Sequence, residues 1–283
     1  MTVSAAIRPK SPIERLLASN SWLVFAFLYL PILLLIGFSF NDNRNVGIWT
    51  SFSTRWYGEM FQNGDVMRAL RNTLIVALAS TVVSTVLGTM AAIAMERFRF
   101  RGRGTLDGLL YLPIIIPDVT MAVMMLLFFA QAFEMVGGFV RFNFGLGTIA
   151  LSHIAFNISF VAVVVRARLS QLDGALEEAA ADLYADRWQA FRRVTLPLIM
   201  PGVAGGALLA LTLSLDDVVV TSFVSGPGST TLPVYVFGLV RRGVTPLINA
   251  VSTVMLVASM ILVGVSLLFQ RGNRSPDQEE GLT

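Results

Sequence analysis

The chain has 283 residues, 55% hydrophobic and only 14% charged, with a formal net charge of +3; soluble domains carry about 25% charged residues, so a mean hydropathy of +0.70 marks a polytopic membrane protein. Cysteine is absent, which excludes disulfides, thiolate metal sites and cysteine nucleophiles. The single lysine, Lys10, follows Pro9 rather than glycine, so the chain has no GxxxxGK phosphate-binding loop of its own.

Six apolar runs are near the ~20 residues that a helix needs to cross a ~30 Å hydrocarbon core: 22–40, 72–95, 107–133, 148–165, 198–224 and 247–269. An all-α membrane protein with both termini on one side follows. Residues 1–21 and 270–283 form terminal tails, and 22–269 form one transmembrane domain. The tails and the 97–103 and 166–193 connections hold 14 of the 21 basic residues, including Arg8, Lys10, Arg271 and Arg274. Seven, among them Arg141, Arg241 and Arg242, fall on the other side, so the positive-inside rule puts both termini in the cytoplasm. No A-x-A-like cleavage site follows the first run, which reads as a retained anchor.

The connection 41–71 contains Trp49, Trp56 and Tyr57, suited to anchoring at a water–lipid boundary or to docking an external partner, and WYGEMFQ predicts a short surface helix. Small residues such as Gly88, Ala91 and Ala92, and the run PGVAGGALLA, predict close helix contacts within the chain or with another subunit. Pro113 and Pro117 predict a kink in the third span, next to Asp118, which either caps the freed backbone or lines a path. His153 and Asn157 lie one turn apart in the fourth span, where a lone histidine is expected to be a packing residue.

Asp216 and Asp217 sit inside the apolar stretch LSLDDVVVTSF. Carboxylates at that depth are costly and mark a partner or a function. On a continuous helix Ser214, Asp217 and Thr221 form one polar stripe, whereas Asp216 shares its side with Thr212, Val219 and Val220. That spacing favours Asp217 as the pathway residue, with Asp216 lining the path or paired with Arg241 or Arg242. The segment SGPGSTTLPVYVFGLVRRG that follows is too short to span and is expected to lie along or dip into the membrane surface.

The connection 166–197 is long and polar, and ALEEAAADL and RWQAFRRVTL predict two short helices at the membrane surface. Its residues resemble the EAA loop of inner-membrane permeases of ATP-binding-cassette importers, EAA-x3-G-x9-I-x-LP: Glu178, Ala179 and Ala180, then Tyr184, Val194, Leu196 and Pro197. Tyr184 stands where the family has glycine, which puts the bend between the two helices in question, and Val194 replaces isoleucine. The stretch from TLSLDD to INAVST, with STRWYGE, is similar to the polyamine branch, the putrescine and spermidine uptake permeases.

This resemblance implies a type I importer permease fold in a bacterial inner membrane. It implies a non-catalytic subunit that pairs with a related second permease, two copies of a cytoplasmic ATPase and a periplasmic polyamine-binding protein. ATP and magnesium sit on the partner subunits; this chain is expected to bind lipid but no cofactor, metal or nucleic acid. The EAA residues would dock the ATPase, and Asp118, Asp216 and Asp217, with Ser214 and Thr221, would serve a polycation.

Other readings give paired acids other work. An intramembrane aspartyl protease needs its carboxylates on facing helices, and the GxGD signature is absent. An ion-coupled secondary transporter uses intramembrane acids but gives no reason for the EAA segment. An importer of another small cation remains open.

Overall fold

The computed structural model describes residues 12–136, 143–243 and 245–271. Residues 1–11 of the amino-terminal tail, with Arg8 and Lys10, then Arg141, and the carboxy-terminal tail beyond Arg271, with Arg274, lie outside the described residues. Apart from one isolated bridge between Asn41 and Phe52, the described secondary structure is helical. Among the described residues, six segments are long and apolar enough to cross a membrane: Leu16–Ser39, Gly64–Arg97, Asp118–Met135, Leu146–Leu169, Arg187–Asp216 and Pro246–Gly264.

The first is part of α1, Pro12–Ser39, which packs against α12, Pro246–Arg271. The short α2, Arg55–Gln62, is the predicted WYGEMFQ helix. Trp56 is not an interfacial anchor: it is buried and donates its indole N–H to the Asn41 carbonyl at 2.7 Å, whereas Trp49 is exposed. The long α3, Gly64–Arg97, starts where the Asn63 side chain accepts the N–H groups of Asp65 and Val66. At ~1.5 Å per residue its 34 residues reach about 50 Å, more than the ~30 Å hydrocarbon core. The helix therefore extends out of the membrane.

Two of the six apolar runs are broken. The run 107–133 divides into α4, Arg103–Ile115, and α5, Asp118–Val136. Pro113 is carried inside α4; the break falls at Ile116, extended at φ −72° and ψ 133° because Pro117 follows it. The run 198–224 divides into α9, Leu196–Asp216, and α10, Val219–Val224, with Asp217 extended between them. The polar stripe of Ser214, Asp217 and Thr221 presupposed an unbroken helix, so that geometry does not hold.

The centre of the bundle is formed by α3, α6 (Leu146–Leu169) and α9. Small residues let their backbones approach, as lipid-embedded helices require. A Cβ on Gly88 of α3 would lie 2.7 Å from Val161 Cβ and 2.9 Å from the Ile158 carbonyl oxygen, and one on Gly206 of α9 would lie 3.2 Å from Val161 Cγ1. Val161 is thus held between two glycines, and the buried Ala92, Val165, Ile199 and Ala210 extend the contact. The small-residue runs therefore serve packing inside the chain. A second cluster, including Met121, Phe129, Phe156, Val220 and Val224, packs α5 and α10 onto α6. A third joins Met60 and Val66 to Leu232 of α11, Leu232–Arg242, and Val251 of α12.

Gly88→Ala is expected to cost about 1–3 kcal/mol through overpacking, measured as a lower unfolding midpoint of the detergent-solubilised protein. Adding Val161→Ala should recover little of that loss, because the Val161 Cβ and the Ile158 carbonyl oxygen, the two nearest atoms, stay in place. An unchanged midpoint for Gly88→Ala would show that α3 and α6 are not held by this approach.

Candidate functional site: an acidic cavity at two helix breaks

Both breaks open on one cavity of about 320 Å³, lined by Asp118, Asp216 and Asp217, by Phe156 and Phe160 of α6, and by Leu213 and Val218 to Val220. Asp118 of the third apolar run therefore meets the Asp216–Asp217 pair of the fifth. They are not equivalent. Asp118, in the first turn of α5, is exposed, and no hydrogen bond or ion pair reaches its carboxylate among the described residues. It does not cap the backbone freed at Pro117. Asp216, the last residue of α9, is exposed too, and no ion pair reaches it among the described residues. Arg241 instead holds its guanidinium 4.6 Å from the Phe237 ring centroid. The Arg242 side chain lies outside the described residues.

Asp217 has a different environment, with its side chain only 13% exposed. Its carboxylate accepts the Thr221 N–H at 2.7 Å and the Val220 N–H at 3.3 Å, the free donors of the first turn of α10. One carboxylate oxygen also lies 3.4 Å from Nε2 of the buried His153, which is 3.1 Å from the Thr221 hydroxyl. Thr221 is fully buried and Ser214 nearly so, and neither lines the cavity. Ser214 Oγ lies 2.9 Å from Ser80 Oγ and accepts the Asn157 amide at 2.8 Å, which fastens α9 to α3 and α6. Ser214 and Thr221 thus position the break from behind.

Sequence reasoning missed Phe156, Phe160 and the role of His153. Their spacing held the signal: His153, Phe156, Asn157 and Phe160 follow i, i+3, i+4, i+7, one face of α6. That face presents polar groups to Asp217 and Ser214 and rings to the cavity.

The second candidate site is the 166–197 connection. It folds as α7, Ala175–Asp182, a single-turn α8, Arg187–Ala190, and a π-helical turn, Phe191–Thr195, that leads into α9. Tyr184 itself adopts the left-handed conformation, φ 61°, that glycine would supply. The Ala185 N–H bonds the Ala180 carbonyl and the Tyr184 N–H bonds the Ala181 carbonyl, both at 3.0 Å, which is a Schellman termination of α7. The bend is kept without glycine. Tyr184 is 97% exposed, so its side chain meets no steric obstacle within the chain.

Asp186 then caps α8, accepting the Gln189 N–H at 2.8 Å. Glu178, Ala179 and Pro197 are exposed, Ala180, Val194 and Leu196 half-buried, and Leu183 and Trp188 add exposed apolar surface. α7 has no buried residue. A segment that exposes these apolar side chains with so little cover from its own chain fits a docking element.

The chain belongs to the family of binding-protein-dependent transport system inner membrane components, whose family model matches residues 84–274. It is a multi-pass inner-membrane transport protein. It is 45% identical over 235 residues to the putrescine transport system permease protein PotI of Escherichia coli K12, covering 83% of each chain. It is 40% identical over 252 residues to the spermidine/putrescine transport system permease protein PotC of Haemophilus influenzae, covering 89% of this chain and 95% of the relative. The fold is that of ABC importer permeases: a chain in the crystal structure of a bacterial ABC transporter that imports the acidic polysaccharide alginate superposes with a TM-score of 0.71 at 21% identity, over 91% of this chain and 98% of that one.

Asp217→Ala is expected to cost about 1–2 kcal/mol through loss of the cap on α10, read as a lower unfolding midpoint, whereas Asp216→Ala should leave the midpoint nearly unchanged. Equal losses would remove the distinction between a capping and a free acid. At the bend, a left-handed non-glycine residue costs about 1–2 kcal/mol. Tyr184→Gly should therefore slow amide exchange across 180–185 about fivefold or more, and Tyr184→Val should speed it.

Proposed function

We propose that this chain is the membrane-spanning permease subunit of an ATP-driven polyamine importer, with putrescine or spermidine as cargo. It forms half of the path, with both termini cytoplasmic. The observation that carries the reading is the acidic, aromatic-backed cavity in a chain whose relatives are named as putrescine and spermidine permeases. Asp118 and Asp216 are the acids presented to cargo, and Asp217 contributes charge at the edge while holding the break.

The chemistry suits a flexible polycation. An ammonium group leaving water needs negative charge and acceptors, which two free carboxylates supply. Phe156 and Phe160 can add cation–π attraction of about 0.5–2 kcal/mol each. The same carboxylates are costly without a counter-charge at this depth, so an occupied cavity is electrostatically better than an empty one. A conformation that encloses the cavity is then favoured by cargo, in proportion to its preference for that state.

The remaining parts come from other subunits: a related second permease that completes the path, two copies of an ATPase that carry ATP and magnesium, and a periplasmic polyamine-binding protein. Glu178, Ala179, Ala180, Tyr184, Val194, Leu196 and Pro197 form the segment that docks the ATPase, with Leu183 and Trp188 widening its apolar surface. The chain itself performs no hydrolysis.

Reconstitution in proteoliposomes tests the proposal. Uptake of labelled putrescine or spermidine should require the ATPase, ATP and the binding protein together. Uptake by this chain alone, driven by an ion gradient, would refute it, and ATP-driven uptake of another cation in preference to polyamines would replace the cargo. Asp216→Asn and Asp118→Asn should each lower polyamine uptake about tenfold or more, equivalent to roughly 1.4 kcal/mol, while assembly persists.

A further inference from the structure

The docking segment is joined to the bundle by a polar contact that its own motif does not include. Glu177 immediately precedes Glu178, and one of its carboxylate oxygens, Oε1, accepts two bonds: from Arg97 Nη2 at 2.8 Å and from the Thr195 hydroxyl at 2.6 Å. Arg97 is the last residue of α3, and Thr195 is the last residue of the π-helical turn at the base of α9. Three elements therefore meet on one oxygen atom.

Packing holds α3 and α9 together but does not bring α7 onto α3. A cavity of about 560 Å³ lies between the end of α3 and the α7–α8 segment, lined by Ile93, Arg97 and Phe98 on one side and by Ala181, Ala185 and Phe191 on the other. Glu177 and Arg97 reach across it, and their side chains are 33% and 29% exposed. A partly solvated ion pair of this kind adds little to global stability, so its role is to set where α7 stands, not whether the protein folds. The π turn beside it departs from regular α-helical hydrogen bonding, a feature of helices that bend at functional sites.

The two helices held by Glu177 meet again near the cavity. Ser80 of α3 bonds Ser214 of α9, two residues before Asp216. We infer that Glu177 is a positioning residue: through Arg97 and Thr195 it carries a displacement of α7 into α3 and α9 together, and so to the helix break that presents Asp216. The inference rests on the reading of 166–197 as the ATPase-docking segment. Glu178, exposed beside it, is free for the partner, so adjacent glutamates have divided tasks.

The absence of native cysteine allows a direct test. Spin labels placed through Leu183→Cys and Arg99→Cys, both exposed positions, report the distance between the α7 end and the α3 end in full-length protein in nanodiscs. The unsubstituted pair should give a narrow distribution. Glu177→Gln and Arg97→Gln should each broaden and lengthen it, and Glu177→Arg with Arg97→Glu should narrow it again. An unchanged distribution in Glu177→Gln overturns the inference.

In assembled proteoliposomes, Glu177→Gln should lower polyamine imported per ATP hydrolysed at least threefold, with basal hydrolysis and unfolding midpoint unchanged. An unchanged ratio overturns the inference as well. A native assembly that imports no polyamine while the label distance still responds would refute the cargo reading and support the tether.

Discussion

A helix broken inside a membrane leaves backbone N–H groups that no water can take, and the carboxylate of Asp217 takes two of them. The acidic cavity depends on this arrangement. Without it, the chain would have to continue as helix from Asp216, and the acid at the end of α9 would be turned about a helix axis instead of standing at an open terminus. His153 and Thr221 close the arrangement from behind, and the Ser80–Ser214–Asn157 contacts stop α9 from sliding against α3 and α6. On the opposite wall, Pro117 opens the α4–α5 break by excluding Ile116 from the helical region. One break is made by the steric demand of a proline ring on the residue before it, and the other is satisfied by an added acceptor.

The bundle that supports these breaks is close-packed where it must transmit movement and open where it must be moved. At Val161 two glycines bring α3 and α9 against α6 with little room for an added methyl group. At the basic end, α7 has no buried residue and faces a cavity. Interdigitated cores resist continuous deformation, so a shift imposed at one end of α3 or α9 is expected to reach the far end largely undiminished. The segment that would receive such a shift is attached loosely enough to follow a partner.

Much of this was legible in the sequence because membrane physics writes in long, simple patterns. Apolar length gave the six spans, Pro117 gave the break beside Asp118, and the small residues gave the close contacts. The second break was not legible, because LSLDDVVVTSF contains neither proline nor glycine. Its cause is a tertiary one, the meeting of Asp217 with His153 and with its own downstream backbone. For the same reason helical spacing chose the wrong geometry for Ser214 and Thr221. Trp56 looked interfacial because composition cannot tell a tryptophan at a boundary from one folded over the Asn41 carbonyl. Phe156 and Phe160 were visible as spacing but had no meaning until the acids were seen opposite them.

Tyr184 shows what kind of statement a sequence motif makes. The glycine of an EAA-type loop stands for a dihedral angle, and a tyrosine at φ 61° meets the same requirement with its ring in the open. A search that demands the letter would discard this chain, while a search that demands the backbone shape would keep it. Natural drift at such a position is therefore limited by the room outside the bend as well as by the bend itself. Homologues whose partner subunit crowds that spot should be restricted to glycine, and those whose partner leaves it clear should show a wider alphabet.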